Sequence, residues 1–453
     1  MRMPSLFALA LVAAAPRVHA QAVDGLLDTS FGGGGQNVVA FDRGVSNKDY
    51  ARAIVVDTLG RSYLVGDVDT TNGRKIGIVR LLADGAADDT YGTEFSGRVV
   101  APAGGQTSIG VTSAVLDAQG YLLVAGSSVV SGTDTSFLVC RFDPQGNLAN
   151  FAGGQAACSF PDFNIGGFHT DVANSILVQP DGRIVLAGYA SSDTGTTLAL
   201  ARLQSNGALD PGFGNGGKTT YTGAPFVSFD ATRARLNPDG SLVTAGSAYD
   251  VNANQFGVIV RVGAGGLVDD TFGNNHGYSR TPNLNSDYVD VLWDAQWNMY
   301  VAIGNYRGAA TPKGTSACIL PDGGLVGCPH GDNSGNYTIG AGTTFTSLLH
   351  QGDGRWLVVG SYLQVANGPA DLLVARMDSS LALDSGEFAA PQGYAVHDFG
   401  LPGHHDLGTA FALQGGRILV AGAALRTANT SNYDFAVAGF ALDRIFQTGI
   451  EKP

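Results

Sequence analysis

Five carboxylates recur at one place along this chain. Asp49, Asp171 and Asp287 stand seventeen residues ahead of Gly66, Gly188 and Gly304, and Asp230 and Asp406 stand sixteen ahead of Gly246 and Gly422. Carboxylates that converge with water form the hard oxygen set that calcium takes, so Asp49, Asp171 and Asp287 are the candidate metal ligands. Calcium is the cation they would hold, and no other cofactor is indicated. The plainer role is local: an Asp leading into a strand accepts backbone N–H groups of its own turn. No Asp-x-Asp-x-Asp-Gly loop strengthens the metal reading. A denser group lies in HDFGLPGHHD, which carries His397, Asp398, His404, His405 and Asp406. Histidine with carboxylate suits zinc or iron, but His-Glu-x-x-His is absent and the segment reads as loop. His404, His405 and Asp406 therefore stand as candidates for a ligand-binding face. Trp293 and Trp297 could stack on a sugar ring or pack between sheets, and packing is the better reading for aromatics beside strands. The sequence holds no Gly-x-Ser-x-Gly elbow and no phosphate loop. No catalytic residue is assigned.

What must position these residues is a repeat. Phrases such as DGRIVLAG end on Gly66, Gly126, Gly188, Gly246, Gly304, Gly360 and Gly422, at intervals of 60, 62, 58, 58, 56 and 62 residues. Within each copy a strand, a tight turn and a second strand are followed by a loop of variable length, a third strand, another turn and a fourth strand. Six positions before each landmark glycine stands Gly60, Gly120, Gly182, Gly240, Asn298, Gly354 or Gly416. A two-residue hairpin turn needs a positive φ, which glycine adopts freely and asparagine tolerates. Short strands at even spacing, apolar on both faces, indicate an all-β repeat fold. Seven four-stranded antiparallel units of this length stack radially into a seven-bladed β-propeller. The seventh copy lacks a fourth strand, and the segment around Asn37–Phe41 supplies one, closing the ring from the N-terminal side.

Arg80, Arg141, Arg202, Arg261 and Arg376 share one place in the third strand. Arginines in every blade belong to the frame, each needing an Asp partner from a turn. Cys318 and Gly439 take that place in the other two copies, so those blades are expected to manage without the charge. The couples Cys140/Cys158 and Cys318/Cys328 each flank a hairpin turn and are expected to form local disulfides, at home in an oxidising compartment.

Residues 1–20 read as a signal peptide: Arg2, the apolar run LFALALVAAA, and small residues before a cut after Ala20. Residues 21–446 form the propeller and 447–453 a C-terminal tail. The expected location is secreted or periplasmic. With 26 Lys and Arg against 39 Asp and Glu, net −13, the chain lacks the basic face that nucleic acid demands. No second segment is long and apolar enough to insert in a membrane, and a monomer is expected.

LDTSFGGGG (Leu27 to Gly35), LDPGFGNGG (Leu209 to Gly217), VDDTFG (Val268 to Gly273) and PDGRIVLAG resemble the delta-60 repeat of secreted bacterial β-propellers. The resemblance spans the mature chain and implies the fold, but no common reaction. Two functional classes follow. The favoured one is a non-catalytic module for binding, adhesion or scaffolding, with a polysaccharide, a cell-surface component or a protein as partner. The other is a propeller enzyme of hydrolase, lactonase or quinone-dependent dehydrogenase type, with a metal or cofactor over the central channel. The variable loops after the second strands and the links between blades share one face, where Asp49, Asp171, Asp287, His404 and His405 should approach the channel mouth. A ligand is expected there.

Overall fold

The computed structural model describes residues 23–442, apart from residues 45, 107, 133, 352 and 367 and the stretches 93–95, 104–105, 152–155, 168–169, 329–334, 400–404 and 427–431. The signal peptide and the C-terminal tail lie outside the described residues.

Each turn between first and second strands does carry a residue of positive φ. Gly60, Gly120, Gly182, Gly240, Gly354 and Gly416 have φ between 76° and 92°, and Asn298 has 51°. The expected two-residue turn is found only in the last copy, where Gln414 N–H bonds the Arg417 carbonyl. Elsewhere the loop is longer. Asp57 N–H bonds Arg61 O and Gly60 N–H bonds Asp57 O, a three-residue connection whose final residue is left-handed. The first residue of that loop is often an Asp, and its carboxylate fixes the turn. Asp57 Oδ1 accepts Leu59 N–H at 3.0 Å and Arg61 N–H at 2.9 Å.

The resulting units are seven antiparallel sheets, with strands lettered A to D within each. Blade 1 runs Tyr50–Val56, Ser62–Val68, Lys75–Leu81 and Arg98–Ala101. Blade 4 runs Phe226–Leu236, Leu242–Asp250, Gln255–Val262 and Tyr278–Arg280. Blade 5 runs Ser286–Asp294, Met299–Tyr306, Lys313–Ile319 and Leu325–Val326, with Asn336–Tyr337 as an added strand on C. In blade 7, Leu407–Leu413, Arg417–Leu425 and Tyr433–Ala441 are completed by Gln36–Val39, whose Gln36 pairs with Ala438. The ring is a seven-bladed β-propeller closed by its N-terminal strand.

The landmark glycines owe their recurrence to strand A. In every blade the A–B pairing slips at a β-bulge just after the glycine's partner, as between Ala173 and Ser175 opposite Gly188. The bulge drives a carbonyl of strand A onto strand B. A Cβ at Gly66, Gly126, Gly188, Gly304 or Gly360 would lie 1.8 Å from that oxygen, so only glycine fits.

Packing is between blades. Seven apolar clusters fill the seven junctions; that between blades 7 and 1, for example, gathers Phe31, Phe41, Leu64, Leu419 and Phe435. The Leu-Asp-x-x-Phe-Gly signature adds a polar fastener. Arg202 donates to Asp210 at 2.8 Å, lies over the Phe213 ring at 4.6 Å, and reaches the Ala264 carbonyl of the next blade at 2.6 Å. Arg80 with Asp88 and Tyr91, and Arg376 with Asp384 and Phe388, repeat the arrangement. One expectation fails here. Blade 7 does not dispense with the charge: Arg417, from strand B, fills the space beside Gly439 and takes Asp28 and Phe31 as its partners. Cys140–Cys158 and Cys318–Cys328 are disulfides joining strand C to strand D or its flank, with Cα separations of 4.1 and 5.2 Å.

Candidate functional site

The carboxylates singled out in the sequence hold backbone. Asp171 Oδ2 accepts Phe163 N–H at 2.8 Å and Asp406 Oδ2 accepts Phe399 N–H at 2.7 Å, each bracing the link that leads into its own blade. Asp49 Oδ1 accepts Asp69 N–H at 2.9 Å, while its other oxygen is buried without a hydrogen-bond partner. Asp230 and Asp287 turn the other way, onto Ser247 and Asn305 at the end of strand B, and Asp287 adds an ion pair with Arg307. Asp49, Asp171 and Asp406 are buried, so they lie beneath the loops rather than open to the channel mouth. Burial pushes the carboxyls of Asp49 and Asp406 up to about 6, against the pull of their backbone donors. Among the described residues, no three His, Cys, Asp or Glu side chains converge in a metal-holding group.

His397 and His405 are not brought to one point either. His397 Nε2 meets Gln36 Oε1 at 2.7 Å against the closing strand, and His405 Nδ1 accepts Ala370 N–H at 3.1 Å. His404 lies outside the described residues. Trp293 packs edge-on against Tyr300 at 4.9 Å, and Trp297 faces Trp356, which His350 also covers at 4.4 Å. Both tryptophans sit in blade packing.

The two cavities of note lie on the outer rim, at equivalent blade junctions. Each is bounded by strand D of one blade and the C–D turn of the next. At the junction of blades 7 and 1, about 530 Å³ is lined by Gly32, Gly33, Gln36, Asn37 and Val38 facing Asp84 and Gly85. At blades 4 and 5 the corresponding space, about 520 Å³, has different walls. Here the C–D turn reads Phe272–Gly273–Asn274–Asn275–His276–Gly277, one residue longer than Phe31 to Gly35. The added length sets His276 at the rim. Its ring stacks on Tyr278 at 5.8 Å, while Tyr221 bonds its carbonyl. Tyr278 donates to the Ala224 carbonyl at 3.0 Å and meets Phe226 and Phe229 edge-on, so its ring is fixed. Farther along strand D, Arg280 lies over the Phe256 ring at 4.6 Å. Asp250, held low by the Asn254 amide and by Arg280, supplies a carboxylate at the same end. The groove thus presents the exposed His276 ring and Arg280 guanidinium, backed by the buried rings of Tyr278 and Phe256, together with the Asp250 carboxylate, a lining that suits a polar or anionic chain. Its only mark in the sequence is the histidine in this one C–D turn.

Three segments, residues 179–213, 237–272 and 351–386, match a family described as a domain of unknown function (DUF5122), beta-propeller. Each runs from an A–B turn to the C–D turn of the same blade. The matches place the chain among β-propeller repeat proteins. No curated protein matches the sequence. Among solved structures, a Dyadobacter fermentans protein of unknown function aligns over 90% of this chain and 100% of its own at 11% identity, with a TM-score of 0.43. An ulvan lyase of polysaccharide lyase family 25 aligns over 92% and 100% at 11% identity, TM-score 0.47. A Hadza microbial sialidase aligns over 88% of this chain and 66% of its own at 12% identity, TM-score 0.42.

Proposed function

We propose that the protein is an exported, non-catalytic propeller that binds a polysaccharide. The observation that carries this reading is the contrast between equivalent junctions. Between blades 7 and 1 the rim groove presents glycine, amide and valine; between blades 4 and 5 it presents His276, Tyr278, Phe256 and Arg280. A frame feature should look alike in both places, whereas a ligand site should be built once. The exposed His276 ring, held by stacking on the buried Tyr278, offers a small face to a sugar, and Arg280 with Asp250 selects polar or anionic substituents. Export is supported by the N-terminal pattern and by the two disulfides. This reading takes the rim in place of the channel mouth as the ligand site, supported by the burial of Asp49, Asp171 and Asp406.

The test is affinity electrophoresis of the mature protein through gels containing neutral or uronic-acid polysaccharides. Wild type should be retarded by at least one of them, and a variant carrying His276→Ala and Arg280→Ala, both at exposed positions, should migrate as in a blank gel. Equal retardation of both proteins would move the site elsewhere. Release of shortened or unsaturated sugar products would replace the binding role with the enzyme reading.

A further inference from the structure

Strand A is innermost in each blade, and successive A strands touch around the axis. Thr112 and Asn174 bond the carbonyls of Ala173 and Ala231 in the next blade, and Thr409 bonds that of Ala51. A side chain in the middle of such a strand can meet solvent only through the axial channel. In register, the residue after the bulge is Ala53, Ser113, Ser175, Arg233, Asp290, Ser347 or Ala410. Two positions on stand Val55, Val115, Leu177, Arg235, Leu292, Leu349 and Ala412. Charge therefore enters these two layers at three adjacent places, all in blades 4 and 5.

Asp290 is fully buried and its oxygens are spent. They accept Arg235 Nε at 3.0 Å and Nη2 at 2.7 Å, the amides of Val291 and Leu348 at 2.9 and 3.0 Å, and Ser347 Oγ at 3.2 Å. Five donors exceed the roughly four lone-pair directions of a carboxylate. Arg233 is left over. Its Nε lies 3.9 Å from Asp290, is itself buried, and has no hydrogen-bond partner. The side chain is 22% exposed. Two guanidinium groups against one carboxylate leave one positive charge in a partly dehydrated place, and a charge so placed needs a partner.

We propose that the axial channel holds a small anion, a halide or a simple carboxylate, on Arg233, with Arg235 fixed behind it by Asp290. The guanidinium presents a planar fork of donors, which matches a carboxylate and also accommodates a spherical halide. Neither the rim groove nor the polysaccharide reading enters this argument.

Bromide and acetate are the probes. Melting of the mature protein is followed as either salt replaces a bulky sulfonate at constant ionic strength, because an anion that binds only the folded state raises the melting temperature in a saturable way. Wild type should show such a rise, and Arg233→Met should need at least tenfold more anion for the same shift. Crystals soaked in bromide should show an anomalous peak in the channel within hydrogen-bonding distance of Arg233. The crystal result stands even where Arg233→Met fails to fold, and Arg233→Lys, which keeps the charge, should keep the peak. A wild-type channel without bromide, or the same titration in wild type and Arg233→Met, would overturn the assignment.

Discussion

The protein should be most stable at mildly acidic pH and lose stability as the solution becomes neutral. Asp434 in blade 7 and Asp49 at the start of blade 1 are both almost fully buried, and each has one carboxylate oxygen without a hydrogen-bond partner. Burial first, then the nearby charges of Asp42 and Asp49, pushes Asp434 up to about 6; Asp49 is raised to about 6 chiefly by burial. Asp406, at the blade 6–7 junction, is raised to the same level. The sign follows from proton counts. Between pH 4 and 6 the folded chain binds protons that the unfolded chain, titrating near 3.8, has released, so folding stability falls as pH rises through this window. A carboxyl moved from 3.8 to about 6 accounts for about 3 kcal/mol between those limits. Asp67, Asp230 and Asp371 are raised as well and add in the same direction. His397, lowered by burial, acts in the opposite direction above its folded pKa. Asp28, Asp88, Asp210 and Asp290 are held low by hydrogen bonds and arginines against their burial, and their stabilisation is lost only as pH falls below about 4. Urea denaturation across pH 4 to 8 should therefore show its highest stability near pH 4 and a decline towards neutrality. Asp434→Asn removes one raised carboxyl and relieves the repulsion on Asp49, and should reduce the difference between pH 5 and pH 7.5 by about 1.4 kcal/mol, the part of the shift that lies above pH 5. A wild-type stability that climbs steadily from pH 5 to 7.5, or an unchanged slope in Asp434→Asn, would refute the reasoning.

Three further outcomes are expected. Replacing Cys140 and Cys158 by Ser opens a loop of 18 residues and should cost about 3 kcal/mol in denaturant; peptide mapping without reductant should recover only the two local disulfides. Removing residues 21–42 deletes the strand that pairs with Tyr433–Ala441 and exposes an apolar edge, so light scattering should report aggregation where wild type stays monodisperse. Gly439→Ala places a Cβ 2.8 Å from Arg417 Cδ and should lower the melting temperature by several degrees, whereas Ala at the exposed Gly386 should leave it unchanged.

Blade count, strand order and the closing strand were legible in residue order because each rests on a local pattern that recurs along the chain, and both disulfides because each couple flanks one hairpin turn. Seven phrases ending in glycine and seven positive-φ turn residues cannot arise from a helical fold, and Cys140 and Cys158 face each other across one hairpin. The reason for the landmark glycines was not legible, since the carbonyl that crowds Gly188 is that of Val172 in strand A, just ahead of the bulge, and such a backbone approach leaves no mark in residue identity. Gly439 shows the same limit. Its missing arginine is supplied from strand B by Arg417, a substitution visible only when both strands are paired. The candidate sites were decided by tertiary structure almost entirely. Asp49, Asp171 and Asp406 recur sixteen or seventeen residues ahead of their landmark glycines because each braces a backbone amide, and a carboxylate used in this way has the same sequence signature as one waiting for a cation. Arg233, Arg235 and Asp290 are 57 residues apart at the extremes and fall on no motif. They meet because ring closure brings the middles of neighbouring A strands to one axis, and charge placed there has few routes to solvent or to a counter-ion.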